Sequence, residues 1–320
     1  MNLSALAGDI AQGVSLRPYC TLRAGGRAEW FFDARDLDSL AEAGLWAQES
    51  GIKTTTLGWG SNILPSDEGV PGLVLFNNVR GIRIQRDGFV EVDCGAGFQD
   101  LFLKTVQAGL KGLEFAVGIP GTVGGALVSN AGAYRSNVSE FLTEIEVVAD
   151  GQRKWVDPSW MEFQYRDSKL RQVNPPPCVL LRARMKLETG HSKSSYDEAR
   201  DYQRQRIGKQ PAPASAGSFF KNVYNQALAD SLTTIPERIR SAGVVPAGYL
   251  LEHVGMMGHR LGGAMFARRH ANFMLNVGGA TAQEIYELAQ LGKAQVRDAF
   301  GVELEEEVLY LGAWPHLKSA

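Results

Sequence analysis

The sequence predicts an α+β fold laid out in three successive units. Three observations predict it. Short β-branched and aromatic runs alternate with stretches of helical periodicity over the first half of the chain. Many of the 36 glycines fall in clusters: Gly58/Gly60, Gly95/Gly97, Gly118/Gly121/Gly124/Gly125 and Gly262/Gly263. Clustered glycine marks backbone that turns sharply or lies close to something else. A Pro/Ala-rich stretch from Pro211 to Ser215 then sets off a last unit.

The first unit is expected over residues 1–80. Trp30-Phe31-Phe32 is a short strand. Leu37, Leu40, Ala41, Gly44 and Leu45 share one helical face, and Gly51 is placed to stop that helix. Thr54 to Leu57 is a β-branched strand that leads into Gly58-Trp59-Gly60-Ser61-Asn62, and Leu73 to Phe76 is another strand. The second unit is expected over 81–212. Phe89 to Cys94 alternates, with Val90 and Val92 on one face and Glu91 and Asp93 on the other. Leu101, Phe102, Thr105, Val106 and Leu110 suit a helix. A long loop is expected from Gly118 to Tyr134, because four glycines and a proline in eight residues fit neither a core helix nor a central strand. Ile145 to Val148 and Val179 to Leu187 read as strands, joined by a connector at Asn174-Pro175-Pro176-Pro177. A polar helix is expected from about Tyr196 to Ile207. The third unit covers 213–300. Its last helix opens on a Thr281-to-Glu284 capping box and carries an apolar stripe at Ile285, Leu288, Gly292, Val296 and Phe300. A terminal strand, Glu307 to Leu311, lies in the segment 301–320, which is expected to return to the second unit.

Composition narrows the function classes. A net charge of −2 across 320 residues gives no electrostatic case for nucleic acid or an anionic membrane. No apolar run approaches the ~20 residues that a membrane span needs. Cys20, Cys94 and Cys178 lack metal-type spacing, so no metal is expected, and their sparse odd number fits a reducing compartment. Met1 to Gly13 lacks the basic-then-apolar layout of a signal peptide, so a cytoplasmic protein is expected. The five histidines share no spacing, and no G-x-S-x-G elbow surrounds Ser218, which disfavours a Ser-His-Asp hydrolase.

Three segments carry chemistry. In Leu57 to Leu64, Gly58 and Gly60 let main-chain N–H groups converge on an anion, and Ser61 and Asn62 add donors. No Gly-Lys-Ser/Thr ends it, so it is no P-loop, and an ordinary strand-to-loop turn remains open. The stretch Gly118-Ile119-Pro120-Gly121-Thr122-Val123-Gly124-Gly125, followed by Asn130 to Tyr134, can wrap a pyrophosphate or form a structural Ω-loop. Gly217-Ser218-Phe219-Phe220-Lys221-Asn222 presents a hydroxyl, a cation and an amide within six positions. It suits a ligand pocket, and equally a strand edge in a core.

The first two segments together resemble the two-subdomain FAD-binding fold of the vanillyl-alcohol-oxidase type. Adding Tyr165-Arg166-Asp167-Ser168, Ala216 to Asn222 and Glu305-Glu306-Glu307-Val308, the chain resembles the UDP-N-acetylenolpyruvoylglucosamine reductase family, in its shorter class without an inserted tyrosine-bearing loop. The resemblance runs from about Thr21 to Gly312 and implies a C-terminal α+β substrate domain after the FAD-binding part. It implies Ser218 as proton donor, with Arg166 and Glu307 as its catalytic partners. It implies FAD held by Gly58, Gly60, Ser61 and Asn62, by Ile119, Pro120, Gly121, Thr122, Val123, Gly124 and Gly125, and by Gly132, Ala133 and Tyr134. Lys209, Lys221, Asn222 and Asn272 fall where the family contacts the UDP-sugar or NADPH. Two departures stand out. Glu306 and Val223 occupy positions where many relatives have proline, and the first leaves Glu305 as a rival to Glu307.

The implied reaction adds a hydride to an enol ether conjugated to a carboxylate, with NADPH as the source of electrons and FAD as the carrier. Charge then develops into the carboxylate, where an arginine can bind in bidentate fashion. A glutamate can share that task if burial keeps it protonated. Two other functions stay in view: another FAD oxidase or dehydrogenase acting on a small alcohol or hydroxy acid, and a non-catalytic FAD- or nucleotide-sugar-binding protein.

Overall fold

A computed structural model describes residues 9–172, 174–209 and 215–315. The first sheet holds β1 (Ala11–Ser15), β2 (Arg27–Ala34), β3 (Thr54–Leu57) and β5 (Val70–Asn77) in the order β1-β2-β5-β3. Three of these run parallel, joined through α1 (Leu37–Glu49), and β1 is antiparallel to β2. Asp36 caps α1, its carboxylate accepting from the Ser39 N–H at 2.8 Å. The buried stripe of α1 includes Leu40, Ala41 and Gly44. A Cβ on Gly44 would lie 2.9 Å from a methyl of Val179, so glycine lets this helix press against the second sheet.

That second sheet is antiparallel. It holds β6 (Ile82–Ile84), β7 (Phe89–Asp93), β8 (Leu142–Ala149), β9 (Gln152–Val156) and β10 (Cys178–Lys186) in the order β9-β8-β10-β7-β6. Val90 and Val92 point into its core, as their alternation predicts. Leu110, expected on the helix α2 (Phe98–Gln107), instead pairs with Thr189 in a two-stranded ribbon.

One expectation fails here. Within the glycine-rich stretch the chain forms a short helix, α3 (Val123–Val128). Thr122 caps it by accepting from the Gly125 N–H at 3.3 Å. Glycine at 124 eases a tight approach, since a Cβ there would sit 3.0 Å from the Cys94 carbonyl. Close approach to the turn after β7 thus accompanies a helix that propensity disfavours.

The polar helix α4 (Ser192–Lys209) runs longer than its sequence pattern suggested. The third sheet holds β11 (Ser215–Ser218), β12 (Arg260–Leu261), β13 (Ala264–Phe266) and β14 (Phe273–Asn276) in the order β11-β14-β13-β12. Against it pack α5 (Ala247–His253) and α6 (Ala282–Phe300). The expected capping box is present, with Glu284 N–H donating to Thr281 Oγ1 at 3.0 Å and Thr281 N–H to Glu284 Oε2 at 3.1 Å. A carboxylate from the first unit adds to it: Asp67 accepts from the N–H groups of Ala282 at 3.0 Å and Gln283 at 2.9 Å.

The terminal strand also departs from expectation. The ladder covers only β15 (Leu309–Leu311), and it runs parallel to β4 (Ile63–Pro65) rather than joining residues 81–212. Just before it, Glu306 bridges to Phe220 and the Glu307 N–H donates to the Phe219 carbonyl at 2.8 Å. The last described segment therefore ties the first unit to the third. Among the described residues no helix is long and apolar enough to cross a membrane, and no cluster of His, Cys, Asp and Glu could hold a metal.

Candidate active site

A cleft of about 2780 Å³ opens between these units. That is several times a typical single-ligand pocket of roughly 300–1,000 Å³. Gly58, Gly60, Ser61 and Asn62 follow β3 on one wall, while Ile119, Pro120, Gly121, Thr122, Gly124 and Gly125 form the neighbouring wall. The two loops touch. Ser61 Oγ donates to the Pro120 carbonyl at 2.9 Å. A Cβ on Gly58 would strike Thr122 Oγ1, and one on Gly60 would strike the Tyr19 carbonyl. Gly60 also has φ +61°, which disfavours any side chain.

The donors at this junction fit a phosphate-bearing cofactor such as FAD. The N–H groups of Gly60, Ser61 and Asn62 find no acceptor among the described residues. Asn62 Oδ1 is buried without a partner. Val123 does not share this role. It is fully buried, and its N–H is spent on the Ala96 carbonyl at 2.8 Å. Gly132, Ala133 and Tyr134 line the cleft further along. Tyr134 holds φ +53°, stacks on Tyr202 at 3.7 Å between ring centroids, and donates its hydroxyl to the Tyr202 carbonyl. Non-glycine residues seldom take this backbone region.

Arg206 of α4 also reaches the cleft, and the sequence reading missed it. Its guanidinium lies 5.7 Å from the Tyr134 ring centroid, and its Nε is buried without a partner among the described residues. Burial lowers its pKa from the ordinary arginine value. Sequence could have flagged it only as one cation of a polar helix.

The three expected catalytic residues meet in the same cleft. Arg166 sits at a left-handed turn with φ +53°, and its Nη2 donates to the Gly132 carbonyl. Its Nε is 3.4 Å from Glu307 Oε1. Burial pushes the Glu307 carboxyl above its ordinary value, against the pull of Arg166, Arg171 and Lys221. Ser218 ends β11 opposite Phe273, and its hydroxyl bonds to no other described residue. Arg171, which sequence reasoning also missed, is 5% exposed and donates to the Glu307 main-chain carbonyl at 2.7 Å.

The three glutamates separate by environment. Glu305 is 69% exposed and takes Lys221 Nζ at 2.6 Å, whereas the Glu307 side chain is 16% exposed. Glu306 points elsewhere, to Lys293 at 2.9 Å and Gln290 at 3.0 Å.

The expected substrate contacts divide in the same way. Lys221 and Asn222 line the cleft. Asn222 Oδ1 also accepts from the Ala247 N–H at 3.2 Å, at the start of α5. Asn272 does not line it. Its amide donates to the Phe220 carbonyl and accepts from the Phe220 N–H, each at 2.9 Å, so it holds the Ser218 segment in place. The side chain of Lys209 lies outside the described residues.

Comparison with known proteins shows the family and the fold. Residues 28–157 match the FAD binding domain family, and residues 209–311 match the C-terminal domain of UDP-N-acetylenolpyruvoylglucosamine reductase. The chain is 36% identical over 317 residues to the UDP-N-acetylenolpyruvoylglucosamine reductase of Synechococcus sp. (strain JA-3-3Ab), covering 98% of this chain and 95% of that one. It is 37% identical over 317 residues to the same-named protein of Acaryochloris marina, covering 97% and 95%. The crystal structure of UDP-N-acetylenolpyruvylglucosamine reductase from Thermus caldophilus superposes with a TM-score of 0.74 at 30% identity, covering 94% of this chain and 98% of that one. The chain belongs to the UDP-N-acetylenolpyruvoylglucosamine reductase family.

Proposed function

We infer that this chain catalyses the NADPH-dependent reduction of the enolpyruvyl ether of UDP-N-acetylglucosamine enolpyruvate to UDP-N-acetylmuramate through FAD, a step of peptidoglycan precursor synthesis. The observation that carries the chemistry is the partly buried Arg166–Glu307 pair beside the strand that ends in Ser218. Gly60, Ser61, Asn62 and the Gly121–Thr122 turn would hold the FAD phosphates. When bound and reduced by NADPH, FAD supplies the hydride that adds to C3 of the enolpyruvyl group.

The residues of this chain do the rest. The Arg166 guanidinium binds the substrate carboxylate and stabilises the charge that develops there. Glu307, once protonated, donates a hydrogen bond to the same oxygens, and burial favours that protonated form. Ser218 Oγ–H delivers the proton to C2. An enolate is basic enough to take a proton from a serine held in position. Lys221 and Asn222 face the sugar nucleotide.

Anaerobic absorption spectra test the whole scheme. The yellow protein should bleach on adding NADPH and recover its colour on adding the enolpyruvyl substrate. In Ser218→Ala the bleaching should proceed near the wild-type rate, while recovery slows by ~10³-fold, within the range expected for a positioned proton donor. Equal slowing of both phases would make Ser218 an architectural residue.

A further inference from the structure

We propose that the substrate arms its own site: its carboxylate draws Arg166 away from Glu307, and Glu307 then takes up a proton from solvent before the double bond is reduced. The proposal rests on the carboxylate-bearing substrate inferred above and deepens the role of the same pair.

The geometry leaves Glu307 one weakly shared counter-charge. Arg166 Nε approaches it at 3.4 Å, which is a loose contact, while Arg166 Nη2 is tied to the Gly132 carbonyl. The other cations that face it already have acids. Lys221, following β11, bonds Glu305 at 2.6 Å and lies 3.5 Å from Asp167. Arg171, from the turn at Lys169–Arg171, spends Nη2 on the Glu307 main-chain carbonyl and has Nε 3.9 Å from Asp167. Among the described residues the remaining titratable neighbour is Tyr165, whose hydroxyl burial makes still harder to ionise. A carboxylate arriving at Arg166 therefore brings one uncompensated negative charge to a carboxyl that burial already holds toward its neutral form. A like charge within about 4–6 Å strongly favours protonation.

The step balances simply. One proton passes from bulk water to Glu307 Oε, and no other bond changes. The outcome is useful, because an ionised Glu307 would repel the substrate carboxylate, whereas a protonated one donates a hydrogen bond to it. Arg171 acts as a positioning residue. It grips the Glu307 main chain, so the side chain keeps its place while its counter-ion is shared.

Calorimetric titration of the oxidised holoenzyme, in pairs of buffers with different ionisation enthalpies, reads binding and proton uptake together. No turnover is needed. Wild type should take up close to one proton per bound enolpyruvyl substrate over a window of pH, falling to none on either side. UDP-N-acetylglucosamine, which lacks the carboxylate, should bind without uptake. Glu307→Gln should bind the substrate without uptake. Binding with no uptake anywhere from about pH 5 to 9 overturns the proposal. So does equal uptake with UDP-N-acetylglucosamine, or uptake that survives in Glu307→Gln. If the enolpyruvyl substrate fails to bind at all, the function inferred above fails instead.

Discussion

Two carboxylates two positions apart meet opposite fates in this chain. Glu305 stays in solvent and neutralises Lys221, while Glu307 is folded into the cleft beside Arg166. Glu307→Gln should therefore slow flavin reoxidation by substrate by ~10²-fold or more, the scale of losing one hydrogen-bond donor to developing charge. Flavin content should be unchanged. Glu305→Gln should stay within a few-fold of wild type, and the reverse pattern would move the catalytic role to Glu305. Alternation alone could not separate the two, since residues two apart share a strand face. Only the chain brought back from Arg166 and Arg171 distinguishes them. The same limit explains Arg171 and Arg206. Nothing in their own neighbourhoods signals a ligand, because their importance lies in what folding places opposite them. Asn272 erred in the other direction. The resemblance placed it at a ligand contact, but both ends of its amide are spent on Phe220.

Elements were easiest to foresee where local chemistry decides them. Thr54–Leu57 forms the strand its β-branched run predicts, and α6 begins at the predicted capping box. The helix α3 stayed hidden because propensity argues against Val123-Gly124-Gly125, and the contact that favours glycine comes from Cys94, just after β7. What holds the start of α6 is likewise only half local. Asp67 reaches it from more than 200 positions away and accepts two of its free N–H groups. Asp67→Ala removes both acceptors and the favourable charge at the helix N-terminus. The expected cost is about 1–2 kcal/mol, comparable to a strong N-cap. Thermal melts at fixed FAD should show a midpoint lowered by a few degrees. An unchanged midpoint would mean that Thr281 and Glu284 suffice.

At the scale of the whole molecule, three sheets frame one cleft, and a late segment helps to join its walls. Leu309 N–H donates to the Asn62 carbonyl at 3.1 Å, two residues after Glu307 leaves the Ser218 strand. The glycine-loop wall and Glu307 are thus set by neighbouring main-chain bonds of one short segment. Leu309→Pro deletes that donor. It should weaken FAD retention on ultrafiltration and depress enol ether reduction together. Loss of turnover with full flavin retention would show the two to be independent. The parallel ladder to β4 also has a consequence in time. A ribosome adds about 5–20 residues each second. Arg171 and its Glu307 partner are 136 positions apart. For roughly seven seconds or longer after Arg171 is made, a nascent chain carries both glycine loops and Arg166 but not Glu307, so the proposed Arg166–Glu307 pair forms only once the segment beyond α6 has been made.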